Sequence, residues 1–148
     1  MSQNKTKSQK YRLKLPIDTA NLDIIREFVA GIAQNIGFDD EDIHRIELAV
    51  DEASTNVIRH AYEGQTQNDK FILIEVKTFP DRLEISVIDH GKGFEPDKIK
   101  EPEMDAYFKQ MKRGGLGLYL IKTLMDKVDY FIKPGVRNRV KMVKYLSL

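Results

Sequence analysis

The stretch FILIEVKTFPDRLEISVID, residues 71–89, reads as two apolar, β-branched-rich runs flanking a short turn. Such runs suit strands buried on at least one face. The link PDR is too short for a crossover, so strands 71–79 and 83–89 pair antiparallel. The chain closes on a second such pair, YFIK (130–133) and NRVKMVKYL (138–146), joined across PGVR. At the other end YRLKLP (11–16) alternates and stops at Pro16, as a strand on a sheet edge does. Helical patterns fill the gaps. Leu22, Ile25, Val29, Ile32 and Ile36 recur at spacings of three and four within Asp18–Ile36, and Gly37 stands where a left-handed cap belongs. A second helix opens at DDED (39–42), acidic residues suited to its positive end, and runs to about Tyr62. Ile43, Ile46, Val50, Ala53 and Val57 form its inner stripe. A third, GLGLYLIKTLMDKV, covers residues 115–128. The order β-α-α-β-β-α-β-β implies an α+β, two-layer sandwich: a mixed, mostly antiparallel sheet with three helices on one face. It excludes a Rossmann fold, which requires regular βαβ alternation.

Composition narrows the function classes. A chain of 148 residues suffices for one domain with one core, here 11–148, behind a polar, frayed tail at 1–10. The 24 basic and 23 acidic residues leave a formal charge of +1, which argues against a direct nucleic-acid binder. The absence of cysteine excludes disulfides and thiolate metal sites. No apolar run approaches the roughly 18 residues of a membrane span, and no signal-peptide core is present, so a cytoplasmic protein is expected.

Three groups of residues carry chemistry. Glu52 and Asn56 lie one helical turn apart on the second helix, over Ala49, whose small side chain leaves room beside them. A carboxylate and an amide oxygen so placed suit a base and a hard cation, although such pairs are common on solvated faces. In DHGKGF (89–94), Asp89 sits where a strand leaves the core, a carboxylate able to accept from an exocyclic amine. Gly91 and Gly93 permit a sharp turn and a close backbone approach, and an ordinary turn has the same form. In RGGLGLYLI (113–121), Arg113 and the segment Gly115, Leu116, Gly117 precede a helix whose free N–H groups suit a phosphate. Neither a Walker A loop nor a complete G-x-G-x-x-G fingerprint is present.

Taken in order, the helical E-x-x-x-N, the strand-borne D-x-G-x-G and the G-x-G opening a helix resemble the GHKL ATPase superfamily. That group includes gyrase, the histidine kinases and MutL. Within it DEASTNVIRHAY, DHGKGF and RGGLGLYLIKTLMDKVDY are similar to the bacterial anti-sigma factor serine kinases, over nearly the whole chain. The resemblance implies a Bergerat fold binding ATP and Mg²⁺. It makes Asn56 the Mg²⁺ ligand, Glu52 the general base and Asp89 the contact to the adenine amine, with Gly91 and Gly93 admitting the base. Gly115, Leu116 and Gly117 become the phosphate-binding segment. Arg113 would reach the phosphates from a lid at 94–112, rich in acidic residues. It further implies a homodimer that sequesters a sigma factor and phosphorylates a serine on a STAS-domain anti-anti-sigma protein, without contact to nucleic acid or membrane.

Many members of that family place a threonine near the start of the last strand, close to adenine. Here Asn138 stands there, and either replaces that contact or leaves it missing. No phosphoacceptor helix fits, since His44 and His60 fall in the second helix and His90 in the turn after Asp89. His60 reads as a structural histidine and Asp51 as a solvated neighbour of Glu52. Arg26 reads as solvated or, by resemblance, as a partner contact. The competing function is a module that binds ATP without phosphoryl transfer. Glu52 favours the kinase, since a pure binder needs no base. A fragment of a larger ATP-hydrolysing clamp would call for a second domain.

Overall fold

The computed structural model describes residues 8–63, 70–92 and 117–147. Among the described residues five strands form one sheet: β1 (Gln9–Pro16), β2 (Phe71–Thr78), β3 (Arg82–Asp89), β4 (Lys127–Lys133) and β5 (Arg137–Tyr145). Their order is β1-β2-β3-β5-β4, and each of the four pairings is antiparallel, where a mixed sheet is expected from the sequence. The last hairpin is inserted with its second strand inward. This sets the start of β5 against the end of β3, with Asn138 opposite Asp89.

The helices are α1 (Leu22–Ile36), α2 (Asp40–Asn56) and α3 (Gly117–Leu124). Gly37 closes α1 at φ 104°, where an L side chain would be strained, and its N–H returns to the carbonyls of Ala33 and Gln34. Asp39 caps α2 by accepting from the Asp42 N–H at 2.8 Å, with Asp40, Glu41 and Asp42 in the first turn. α2 packs between α1 and α3. One core joins these helices to the inner sheet face, with Ile25, Val29, Ile46, Val50, Ile74, Ile85 and Met142 at most 1% exposed. Ala49 is fully buried in that core, so its small side chain serves packing rather than leaving space for a ligand.

Two local readings shift. β1 begins at Gln9, inside the stretch expected to be a tail, and pairs from there with Thr78. α3 ends at Leu124, four residues before its expected limit, and Lys127 already belongs to β4. Val128, Tyr130 and Ile132 alternate with exposed neighbours, so the strand expected from Tyr130 begins earlier and takes Lys127 and Val128 from the expected helix. No helix among the described residues is long and apolar enough to cross a membrane.

Candidate functional site

α2 does not end as an ordinary helix. After Asn56 the backbone widens into a π turn, Val57–Ala61, capped by Tyr62. Single π turns recur at functional sites because they displace the residues on either side of them. Glu52 and Asn56 are half-buried, and neither side chain makes a hydrogen bond among the described residues. Burial, then the charge of neighbouring Asp51, pushes the Glu52 carboxyl above its ordinary value, against the pull of Arg59. That direction suits a base that must hold and release a proton. Asp51 itself is not merely solvated: Arg26 of α1 donates to it at 2.9 Å while also pairing with Asp23 at 3.0 Å.

The end of β3 meets the end of α2. The Lys92 N–H donates to the Ala61 carbonyl at 2.8 Å. The buried Tyr62 hydroxyl accepts from the His90 N–H at 3.0 Å and donates to the Phe71 carbonyl at 2.8 Å. A Cβ on Gly91 would stand 2.0 Å from the Ala61 oxygen. Gly91 is thus required by the protein's own packing, whatever it offers a ligand. His60 is exposed, its Nδ1 2.6 Å from Glu63 Oε1.

Asp89 is 6% exposed. Its Oδ1 accepts from the Gly91 N–H at 2.7 Å and from Asn138 Nδ2 at 2.9 Å. Asn138, 3% exposed, also donates from Nδ2 to the Gly91 carbonyl at 2.9 Å. That carbonyl further accepts from the Gly135 N–H at 2.7 Å, so the turn is held from the β4–β5 hairpin as well as from α2. Asn138 Oδ1 is buried without a partner among the described residues. A buried acceptor lacking a donor costs about 1–3 kcal/mol, so a group that supplies one is favoured there.

The structure therefore ties the segment that follows Glu52 and Asn56, at Ala61 and Tyr62, to the turn after Asp89, and joins Asn138 to Asp89 and Gly91. Gly117 opens α3. Gly93, Arg113, Gly115, Leu116 and the acidic segment 94–112 lie outside the described residues. Sequence reasoning left the role of Asn138 open and missed Tyr62 and the π turn. Tyr62 gave no signal beyond an aromatic residue near a helix end. A carboxylate and an amide oxygen beside a helix end, with an acceptor-rich buried corner nearby, fit a nucleotide with its cation.

The family model of the histidine kinase-like ATPase domain matches residues 15–144. The serine-protein kinase RsbW of Bacillus velezensis is 36% identical over 140 residues, covering 91% of this chain and 84% of that protein. RsbW of Listeria monocytogenes serotype 4a is 36% identical over 146 residues, covering 96% and 90%. RsbW of Bacillus subtilis is 35% identical over 140 residues, covering 91% and 84%. Among solved structures, the RsbU and RsbW domains of a Mycobacterium tuberculosis protein superpose with a TM-score of 0.67. That match covers 95% of this chain and 33% of the longer one at 17% identity, and so bears on the fold alone. The antiparallel α+β architecture, the ordered signatures and these relatives agree: the chain belongs to the histidine kinase-like ATPases and, within them, to the RsbW family of ATP-using, anti-sigma serine-protein kinases.

Proposed function

We propose that residues 9–148 act as a single kinase domain in which Glu52 is the general base and Asn56 would hold the Mg²⁺ that accompanies ATP. Asp89 receives the adenine amine. Gly91 and Gly93 line the base, and Arg113, Gly115, Leu116 and Gly117 cradle the phosphates. The observation that carries this reading is the lock between the end of α2 and the turn after β3, through Lys92, Ala61 and Tyr62. It couples the residues assigned to chemistry to the carboxylate assigned to the base.

Phosphoryl transfer asks mainly for positioning and charge neutralisation. Mg²⁺ supplies the neutralisation when bound, and it takes few protein ligands, so one amide oxygen from Asn56 suffices. Glu52, one turn earlier, accepts the proton of the attacking serine hydroxyl. Its raised affinity for a proton supports that role. The acceptor serine belongs to a STAS-domain anti-anti-sigma protein, and the kinase also sequesters a sigma factor. A phosphate added at that contact brings charge that weakens the antagonist's hold. The protein acts as a cytoplasmic homodimer, touching neither nucleic acid nor membrane.

The test is transfer of the labelled γ-phosphate of ATP, with Mg²⁺, to a cognate STAS-domain protein. Wild type labels that protein on serine. Glu52→Ala keeps ATP affinity within about threefold and loses at least roughly 100-fold in transfer rate. Asn56→Ala weakens Mg·ATP binding about tenfold or more. Tight ATP binding by wild type with no labelled partner would instead establish the binding module. Undiminished transfer by Glu52→Ala would remove Glu52 from the role of base.

A further inference from the structure

The β4–β5 hairpin, residues 127–145, carries six cations and one carboxylate, Asp129. Two of the cations are used within the fold: Lys141 pairs with Glu84, and Lys144 with Asp42 and Asp126. Lys127, Lys133, Arg137 and Arg139 form no ion pair among the described residues. Arg139 instead donates to the Ser86 hydroxyl at 2.9 Å and lies 5.8 Å from the Phe131 ring. Phe131 is 55% exposed, and Val136, at the hairpin tip, 63%. Phe131 stands opposite Arg139 and Lys133 opposite Arg137, so bare apolar side chains and unpaired cations share this end of the hairpin. β4 also ends the strand order, and one of its edges has no strand beside it among the described residues. Such an edge is a row of free N–H and C=O groups. β1, the other outer strand, is guarded by exposed cations at alternate positions, Lys10, Arg12 and Lys14. On β4 the corresponding exposed row is Lys127, Asp129, Phe131 and Lys133, with a large apolar ring where β1 has a charge.

A second copy of the chain does not suit this edge. Antiparallel pairing of two β4 strands about Tyr130 would set Lys127 against Lys133 at both ends, and like charges directly opposite destabilise a strand pair. We propose that the free edge of β4, with the hairpin tip, is a docking surface for an extended acidic segment of a partner protein, which adds a strand to the sheet. On the exposed row such a strand sets carboxylates against Lys127 and Lys133 and an apolar side chain against Phe131. Arg137, opposite Lys133, strengthens the attraction for its acidic end. Main-chain bonds to the edge supply affinity, and the alternation of charge with apolar side chains supplies the choice of sequence. None of the residues assigned to the nucleotide belongs to this surface.

The test titrates the full chain into labelled peptides and follows their fluorescence anisotropy. The first peptide alternates glutamate with valine about a central phenylalanine. The second gathers the same glutamates at one end, and the third has lysine in place of glutamate. The alternating acidic peptide should bind at least about tenfold more tightly than either control, and more weakly as salt is raised. Its binding should slow hydrogen exchange at the backbone amides of residues 127–133. Lys133→Glu and Phe131→Ser, both at exposed positions, should each weaken that peptide at least about fivefold while the melting temperature stays near that of wild type. Equal affinity for the alternating and the gathered peptide would reduce the surface to unspecific positive charge and overturn the proposal. Binding of an oligothymidine or of phosphatidylserine vesicles as tight as that of the alternating peptide would overturn it in the same way. So would the absence of binding, or protection that falls on β1 instead of β4.

Discussion

At the scale of single residues, Glu52 is the side chain whose environment works against the fold. Burial and the Asp51 charge raise its affinity for a proton in the folded state. A carboxyl whose folded pKa lies above its unfolded value binds protons more readily when folded, so its ionised form costs stability. The cost is present above the raised folded value and fades as pH falls through the ordinary carboxylate range. Glu52→Gln should remove it. By differential scanning calorimetry the variant should melt up to about 2 °C above wild type near pH 8, with the gap closing by about pH 4. The gain is small because the side chain is only half-buried and partly screened. A variant melting below wild type near pH 8 would mean that ionised Glu52 is stabilising and would remove this account. Glu52 and Asn56 were legible in the sequence because their relation is local, one helical turn. The role of Asn138 was not, because Asp89 lies 49 residues away and only the reversed order of the last hairpin sets the two opposite each other.

At the scale of elements, the site depends on how α2 ends. A regular helix carried on to Tyr62 would direct Ala61 and Tyr62 differently, and the π turn is what delivers the Ala61 carbonyl to the turn after β3. The contact is tight enough that Gly91→Ala would bring a methyl group to 2.0 Å from that oxygen. Backbone must move to relieve it. The expected cost is about 1–3 kcal/mol, a fall in Tm of several degrees, together with loss of ATP affinity. Calorimetry and nucleotide titration on the variant measure both, and a variant with unchanged Tm would show that the two backbones are not locked. The beginnings of α2 and the end of α1 were readable because caps are local signals: Asp39 with its following acids, and Gly37. The π turn has no comparable signature in VIRHA, since it answers to what packs against it. α3 was read too long for a related reason. Pairing of Lys127 with Val143 and of Val128 with Met142 decides for the strand.

At the scale of the whole molecule, the helix-covered face of the sheet holds the core and the opposite face is stitched by charge. Glu75 on β2 is 5% exposed and receives Lys10 at 3.5 Å and Arg12 at 3.1 Å, both from β1. Glu84 on β3 receives Arg82 at 2.9 Å and, from β5, Lys141 at 3.3 Å. Burial alone would push the Glu75 carboxyl up, but Lys10 and Arg12 outweigh it and hold it below the ordinary value. Burial opposes Arg82 and Lys141 at Glu84 in the same way and is likewise outweighed. A depressed folded pKa contributes stability that is fully present above the unfolded value and is lost as pH falls through the folded one. The window of loss therefore begins near pH 4.5 and extends below it. It opposes the direction set by Glu52, and two paired carboxylates outweigh one. Thermal stability should be nearly level from about pH 8 to 5 and fall steeply below. Glu75→Gln should cost about 1 kcal/mol near pH 7, since both its partners are largely exposed, which corresponds to about 2–4 °C in Tm. Its melting curve against pH should then run flatter in acid, approaching wild type below about pH 4. Wild-type and variant curves that stay parallel to the lowest pH would show that this ion pair does not hold β1 to the sheet.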